Sequence, residues 1–407
     1  MAETQQTGQE ISSRRTRPCP VCGGLQRKRL FRQEFEPLSG AAFLTGYDVV
    51  CCQQCGAGFA DCIPTQELFD AYYRDLSKYE YEYRGGRESE SDRQRFRDIA
   101  STLVRAIPSP QARILELGCA TGGLLAAIRE VGFPNVQGLD PSPGCAQAAW
   151  DLYQIPVFAS SLFSVPAEPR SYDFIILVGV LEHVEDLQLA VQKLHELLAP
   201  QGRVYAEVPD GSRLAGRPDA PFQEFSTEHI NFFSTVSLTN LLELNGFKEI
   251  TTGHAVRQQN ENTTCPAAYG IYERAEAHRG VLKRDDVTER GLLRYIEESE
   301  SIDSRIRQII DEQANGRSIL VWGTGSHTQR LIAAGAFEGV NISAFVDSNP
   351  KYQGQLLHGK LVIKPSELAS RMEPILISSR GFQREIHDQI REKLKLNNDI
   401  ILLYDQQ

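Results

Sequence analysis

The run Ile114-Leu115-Glu116-Leu117-Gly118-Cys119-Ala120-Thr121-Gly122-Gly123 limits this chain more than any other stretch. An apolar, strand-like segment ends in a loop of small residues, and a helical pattern, Leu124 to Val131, follows at once. A strand that turns directly into a helix belongs to a βαβ unit, because a crossover must precede the next parallel strand. The residues downstream keep this grammar. Val136 to Leu139 is a second strand, Cys145 to Tyr153 a helix, and Tyr172 to Val178 a strongly apolar strand. Leu187 to Leu198 is a helix stopped at Pro200-Gln201-Gly202, and Arg203 to Val208 is another strand. The expected fold class is α/β, with a parallel, doubly wound sheet.

Ligands of such a sheet bind at the carboxyl ends of its strands. Gly118 and Gly122 let the backbone pass close to a ligand, with Cys119 between them. Glu116, at the strand tip, can accept hydrogen bonds from an ammonium group. Asp140 closes the second strand and can hold two ribose hydroxyls. The spacing is Gly-x-x-x-Gly-Gly. A loop that seats a pyrophosphate on a helix N-terminus instead carries Gly-x-Gly-x-x-Gly. The expected ligand is therefore a nucleoside without a phosphate.

Nine cysteines are present, and four form two matched knuckles, Cys19-Pro20-Val21-Cys22-Gly23 and Cys52-Gln53-Gln54-Cys55-Gly56. Each knuckle can give two thiolates to one tetrahedral ion, and the glycine permits the tight turn. The expectation is a structural Zn²⁺ held by Cys19, Cys22, Cys52 and Cys55, with no open position for catalysis. Cys51 and Cys62 lie close enough to leave the ligand set open. A metal pattern with an odd cysteine count points to a reducing, cytoplasmic compartment. The net charge of −10 argues against general nucleic-acid binding. No apolar run approaches 18 residues, so no membrane span is expected.

The organisation expected is a disordered polar leader over 1–17, a zinc-binding domain over 18–71, a central domain over 72–253, and a helical linker with a second Rossmann-like domain over 254–407. In the last part, Thr288 to Ala314 reads as one long charged helix or two short ones. Strands over Ser318–Trp322, Ile342–Val346 and Ile375–Ser378 flank a helix over Gln329–Ala336. The turn Gly323-Thr324-Gly325 can cradle a phosphate, with Asp347 beyond it and His327 either touching the phosphate or capping the helix.

The Glu116–Gly123 loop and Asp140 together resemble the cofactor motif of class I S-adenosylmethionine-dependent methyltransferases. Tyr172-Asp173-Phe174-Ile175-Ile176, Val180-Leu181-Glu182-His183-Val184 and Leu198-Ala199-Pro200-Gln201-Gly202 resemble three further motifs of that family, in order. The resemblance implies S-adenosylmethionine as cofactor, with Ser161 and Leu162 beside its adenine. Methyl transfer from a sulfonium is an in-line displacement, so the protein positions the acceptor and removes its proton. The candidate bases are His183, after the Tyr172–Val178 strand, and Glu228-His229 in an aromatic loop. Tyr79, Tyr81 and Tyr83 alternate and form either a substrate wall or a structural stripe.

The order of cysteine knuckles, methyltransferase and Rossmann-like unit resembles the sugar C-methyltransferases that act on nucleotide-linked sugars. In that family a Tyr-x-Glu-His stretch, followed by Tyr-Phe-Ser, supplies the base. Glu228 and His229 match, while Ser226 and Phe232 stand at the two tyrosine positions. The resemblance implies a small-molecule, nucleotide-linked sugar acceptor, by C- or O-methylation. A methyltransferase for a non-sugar metabolite and a non-catalytic scaffold are the other readings.

Overall fold

The computed structural model describes residues 16–39, 44–76, 80, 85–216, 220–259, 263–275, 280–314 and 316–405. Strands β1 (Arg27–Glu34), β2 (Gly46–Cys52) and β3 (Gly58–Asp61) form an antiparallel sheet. Side chains alternate faces along a strand. On β2, Tyr47, Val49 and Cys51 therefore enter one apolar cluster, while Val50 and Cys52 enter another. Helix α1 (Gln66–Leu76) follows, then α2 (Glu90–Leu103), which opens on a capping box between Ser89 and Asp92.

The central unit contains β4 (Ile114–Leu117), α3 (Gly123–Glu130), β5 (Val136–Asp140), α4 (Pro143–Tyr153), β6 (Val157–Ala159), β7 (Tyr172–Val178), α5 (Leu187–Leu197) and β8 (Leu198–Pro209). Strands β6, β5, β4, β7 and β8 are adjacent in that order and parallel. Their two faces feed separate cores. Leu115, Leu117, Ile175 and Leu177 point to one, and Ile114, Phe174 and Ile176 to the other. Burial on both faces explains the unbroken apolar character of β7. The Pro200–Gly202 corner lies inside β8, where the β7–β8 pairing shifts register between Tyr172 and Phe174.

Strand β9 (Asn231–Phe232) leaves this unit and pairs with β3, so it is the fourth strand of the N-terminal sheet. Helix α6 (Thr235–Leu244) leads into a hairpin of β10 (Phe247–Gln258) and β11 (Thr264–Arg274). Strand β11 pairs antiparallel with β8. The sheet is thus mixed, not wholly parallel, and it extends to Arg274. The expected boundary after residue 253 falls inside β10. That strand is polar and largely half-exposed, so it carries no apolar run to reveal it.

One helix, α7 (Thr288–Ala314), joins this unit to the next. Strand β12 (Ser318–Trp322), helix α8 (Ser326–Ala333), β13 (Asn341–Val346), β14 (Leu356–Leu357), β15 (Lys360–Ile363), β16 (Ile375–Ile377) and β17 (Ile400–Leu402) build a six-stranded sheet. Its five strands from β15 through β13, β12 and β16 to β17 are parallel. Among the described residues, no helix is long and apolar enough to cross a membrane.

Candidate functional site

The β4–α3 loop follows the carboxyl end of β4. Gly118 and Gly122 both take left-handed backbone angles, with φ of 73° and 82°. A Cβ on Gly118 would stand 2.7 Å from Val180 Cγ2. Asp140, at the tip of β5, accepts hydrogen bonds from Ala120 N and Ser142 N, each at 2.9 Å. This ties the loop to the neighbouring strand. Cys119 is buried against Gly138. Glu116 is buried too, and its Oε2 has no hydrogen-bond partner. Burial and the nearby Asp140 push the Glu116 carboxyl up to about 8. Burial raises Asp140 to about 6. An ammonium group supplies the donor and the positive charge that Glu116 lacks. S-adenosylmethionine has that group and no phosphate, so the residues fit it.

Ser161 and Leu162 lie past β6, at the start of a short 3₁₀ turn. Ser161 Oγ donates to Asp70 Oδ2 at 2.8 Å. Asp70 belongs to α1, so that helix runs alongside the cleft. Its tyrosines reach Glu228 and His183. Tyr73 OH lies 2.9 Å from His183 Nδ1, and Tyr72 OH donates to Glu228 Oε1 at 3.1 Å. Tyr79, Tyr81 and Tyr83, singled out in the sequence, lie outside the described residues.

His183 and His229 meet beyond the ends of β7 and β8, with ring centroids 4.9 Å apart. The carboxylate on His229 is Glu224, whose Oε2 stands 3.0 Å from Nδ1. The adjacent Glu228 is directed to Tyr72 instead. Ser226 Oγ accepts from the backbone N–H groups of Glu228 and His229, which fixes the turn. His183 Nδ1 donates to the carbonyl of Glu228 at 2.9 Å. Beneath both rings lies Glu182, buried, with Oε2 unpartnered. Burial is the main cause that raises its carboxyl to about 7, opposed by His229. Glu224, Glu182, Tyr72 and Tyr73 are the residues that sequence reasoning missed. Glu224 opens the aromatic loop and Glu182 precedes His183, but neither position alone indicates a partner.

The loop that carries His229 is built into the N-terminal sheet. Ala60 N donates to Ile230 O, and Ile230 N donates to Glu182 O, both at 2.8 Å. Phe232 packs against Phe225. Arg17, placed at the end of the leader by the sequence, is buried here. Its guanidinium donates to the carbonyls of Ala60, Glu185 and Ile230, and to Asn231 Oδ1.

The four knuckle cysteines converge, with their sulfurs within 4.8 Å of one another. Cys19 and Cys55 are 3.6 Å apart, as are Cys22 and Cys52. Four sulfurs about 2.3 Å from a tetrahedral ion stand roughly 3.8 Å from each other, whereas a disulfide needs about 2.05 Å. The set fits a metal. Gly23 N donates to Cys19 O and Gly56 N to Cys52 O, so the two turns match. A Cβ on Gly56 would stand 2.0 Å from Asp285 O. Cys51 faces the opposite side of β2, and Cys62 is outside the group.

In the C-terminal unit, Asp347 accepts from Thr324 N and Asn349 N, each at 2.9 Å. His327 is half-buried, with Nε2 3.0 Å from Tyr404 OH, and desolvation holds it well below the usual histidine range.

Residues 91–252 match a family model described as a methyltransferase domain. Residues 315–402 match one described as C2185-like, N-terminal. The chain is 32% identical over 98 residues to human methyltransferase-like protein 27. That stretch is 23% of this chain and 40% of that protein's length. A 1,6-didemethyltoxoflavin-N1-methyltransferase from Burkholderia thailandensis is similar in structure, at 18% identity and a TM-score of 0.41. The match covers 55% of this chain and 96% of that one. An S-adenosylmethionine-dependent methyltransferase from Mesorhizobium loti matches at 17% identity and a TM-score of 0.36, covering 43% and 96%. With the family match and the strand order in place, residues 91–252 are a methyltransferase domain of the class I, S-adenosylmethionine-dependent fold.

Proposed function

We propose that this chain methylates a small molecule, a nucleotide-linked sugar or related glycan precursor, at a hydroxyl or at an acidic carbon. His229 is the general base and Glu224 orients it. The observation that carries this reading is the 3.0 Å contact between Glu224 and His229 Nδ1. A carboxylate there accepts the Nδ1 proton, so Nε2 bears the lone pair that receives a proton. S-adenosylmethionine, when bound, supplies the methyl group on a sulfonium. Glu116 and Asp140 hold its ammonium and ribose, with Ser161 and Leu162 beside the adenine. Tyr72 and Tyr73 line the acceptor side and shield it from water.

The sugar C-methyltransferase resemblance expects phenols at the positions of Ser226 and Phe232. Here α1 brings two phenols to the pocket from another part of the chain. Hydrogen-bond donors of this kind can hold an enolate, so C-methylation beside a ketone fits as well as O-methylation. The cysteine set is assigned a structural Zn²⁺. The Gly323–Gly325 turn is assigned the nucleotide end of the acceptor.

Release of S-adenosylhomocysteine in the presence of a panel of sugar nucleotides tests the reading. His229→Ala is expected to reduce turnover by about 10²–10⁴-fold, the usual contribution of a general base. Its cofactor affinity stays near that of the wild type. Undiminished turnover removes His229 from the chemistry. Stabilisation by a nucleoside diphosphate in thermal melts is expected as well, and its absence counts against the nucleotide-linked acceptor.

A further inference from the structure

We propose that Glu182, His183 and His229 form a second metal site, which takes a divalent transition ion of the zinc class. This ion and the acceptor's proton compete for the same His229 lone pair, so occupancy turns the base off. The regulatory part rests on the reading of His229 as the base; the ion-binding part does not.

Three observations carry it. One ligand atom from each residue lies within 4.8 Å of the others. Bonds of about 2.1 Å place tetrahedral nitrogen and oxygen ligands roughly 3.4 Å apart, so modest side-chain rotations close the site. Second, both imidazoles are held as metal-bound imidazoles usually are, by an oxygen acceptor on the other ring nitrogen. The Glu228 carbonyl accepts from His183 Nδ1 at 2.9 Å, and Glu224 from His229 Nδ1 at 3.0 Å. With Nδ1 donating to the Glu228 carbonyl and to the Tyr73 oxygen, also 2.9 Å away, His183 keeps its lone pair on Nε2, which stands 3.9 Å from Glu182 Oε1; Glu224 sets the same tautomer in His229. Third, Glu182 is 3% exposed and its Oε2 has no hydrogen-bond partner. A buried carboxylate oxygen without a donor, on a residue whose ligand atom lies within 4.8 Å of those of two imidazoles, suits a cation. Two imidazoles and one carboxylate suit Zn²⁺ or Co²⁺, whereas Mg²⁺ takes oxygen ligands. Tyr72, Tyr73, Glu224 and Cys265 surround the group, and the Cys265 thiol is 3.9 Å from Glu224 Oε1.

The test is a Co²⁺ titration of the full chain with its cysteine site filled by Zn²⁺. About one equivalent is expected to bind with visible d–d absorption and without the near-ultraviolet band of cobalt thiolates. Glu182→Gln and His183→Asn should each abolish this uptake, with unchanged S-adenosylmethionine affinity as proof of folding. Glu224→Gln should weaken it by about 10–100-fold. No uptake by the wild type, uptake that persists in both ligand variants, or uptake only with the thiolate band overturns the site. The two readings fail separately. Without Co²⁺ binding, a turnover loss in His229→Ala leaves the base in place. With Co²⁺ binding and undiminished turnover in that variant, the metal site remains and the base does not.

Discussion

Glu116 is a buried acid whose need for a donor is met only by a ligand. Its carboxyl stands near 8 in the free protein, so at neutral pH it is largely protonated. An ammonium ligand requires the carboxylate and lowers that value. Binding of S-adenosylmethionine at pH 7 therefore releases a proton, and affinity should rise with pH from 6 to about 8, where the ligand's own ammonium begins to lose its charge. Calorimetry in buffers of different ionisation enthalpy checks this, and a pH-independent affinity between 6 and 8 contradicts it. Asp140, the Cys119 and Cys145 thiols and Glu80 are other titratable groups in this environment. Gly118 has a different constraint. A methyl group there meets Val180 at 2.7 Å on a backbone with φ of 73°. Gly118→Ala should destabilise the domain by about 1 kcal/mol or more and weaken cofactor binding, as read by thermal melts and calorimetry.

Among the elements, α1 has the least obvious role from its sequence. It precedes the methyltransferase strands, yet Asp70, Tyr72 and Tyr73 touch Ser161, Glu228 and His183. The tyrosine-rich stretch drew notice, but alternation pointed to Tyr79, Tyr81 and Tyr83. Tyr72 and Tyr73, on α1, are the tyrosines of that stretch whose contacts the structure describes. Tyr73→Phe removes one hydrogen bond to His183, a loss of about 0.5–1.5 kcal/mol. Turnover should fall by roughly 2- to 13-fold with cofactor affinity unchanged. An equal loss in cofactor affinity would instead make the tyrosine structural. The same construction appears twice in the chain's strand–loop–helix elements. Asp140 ties Ala120 and Ser142, and Asp347 ties Thr324 and Asn349, each by two backbone N–H groups. An acid at a strand tip therefore has a structural use in both units, beside any ligand.

Across the whole molecule, the cysteine unit and the loop that carries His229 are one assembly. Strand β9, two residues past His229, is paired with β3. Arg17 bridges Ala60, Glu185 and Ile230, three separate parts of the chain. Asp285 adds a further joint, since its N donates to Cys55 O and its carboxylate accepts from Ser234 and Thr288. Loss of the ion from the knuckles should thus disturb His229 before it disturbs the cofactor loop, which hangs on β4 and β5. Cys52→Ser, which breaks the knuckle site alone, is expected to lower the melting temperature and suppress turnover. Cofactor affinity should stay within a few-fold. Metal analysis should show one equivalent of zinc fewer per chain in this variant than in the wild type. Full turnover in the variant would separate the two units.

Strands β4, β5, β7 and β8, the cofactor loop and the two knuckles were legible because each depends on near neighbours. Burial on both faces makes β7 apolar, positive φ requires glycine at 118 and 122, and two-residue gaps bring thiols together. The partner of His229 was not legible. Glu228 is adjacent in sequence, but neighbours on an extended turn point apart, and Glu224 reaches the ring instead. Strand β10 was missed because its side chains are half-solvated. Tyr73 and His183, or β3 and β9, meet across more than a hundred residues of chain. Many acids and phenols compete for such contacts on equal chemical terms, and the packing of three sheets selects among them. The Glu116–Gly123 run therefore pointed to the cofactor class, while the contacts of His183 and His229 arose from parts of the chain that only folding brings together.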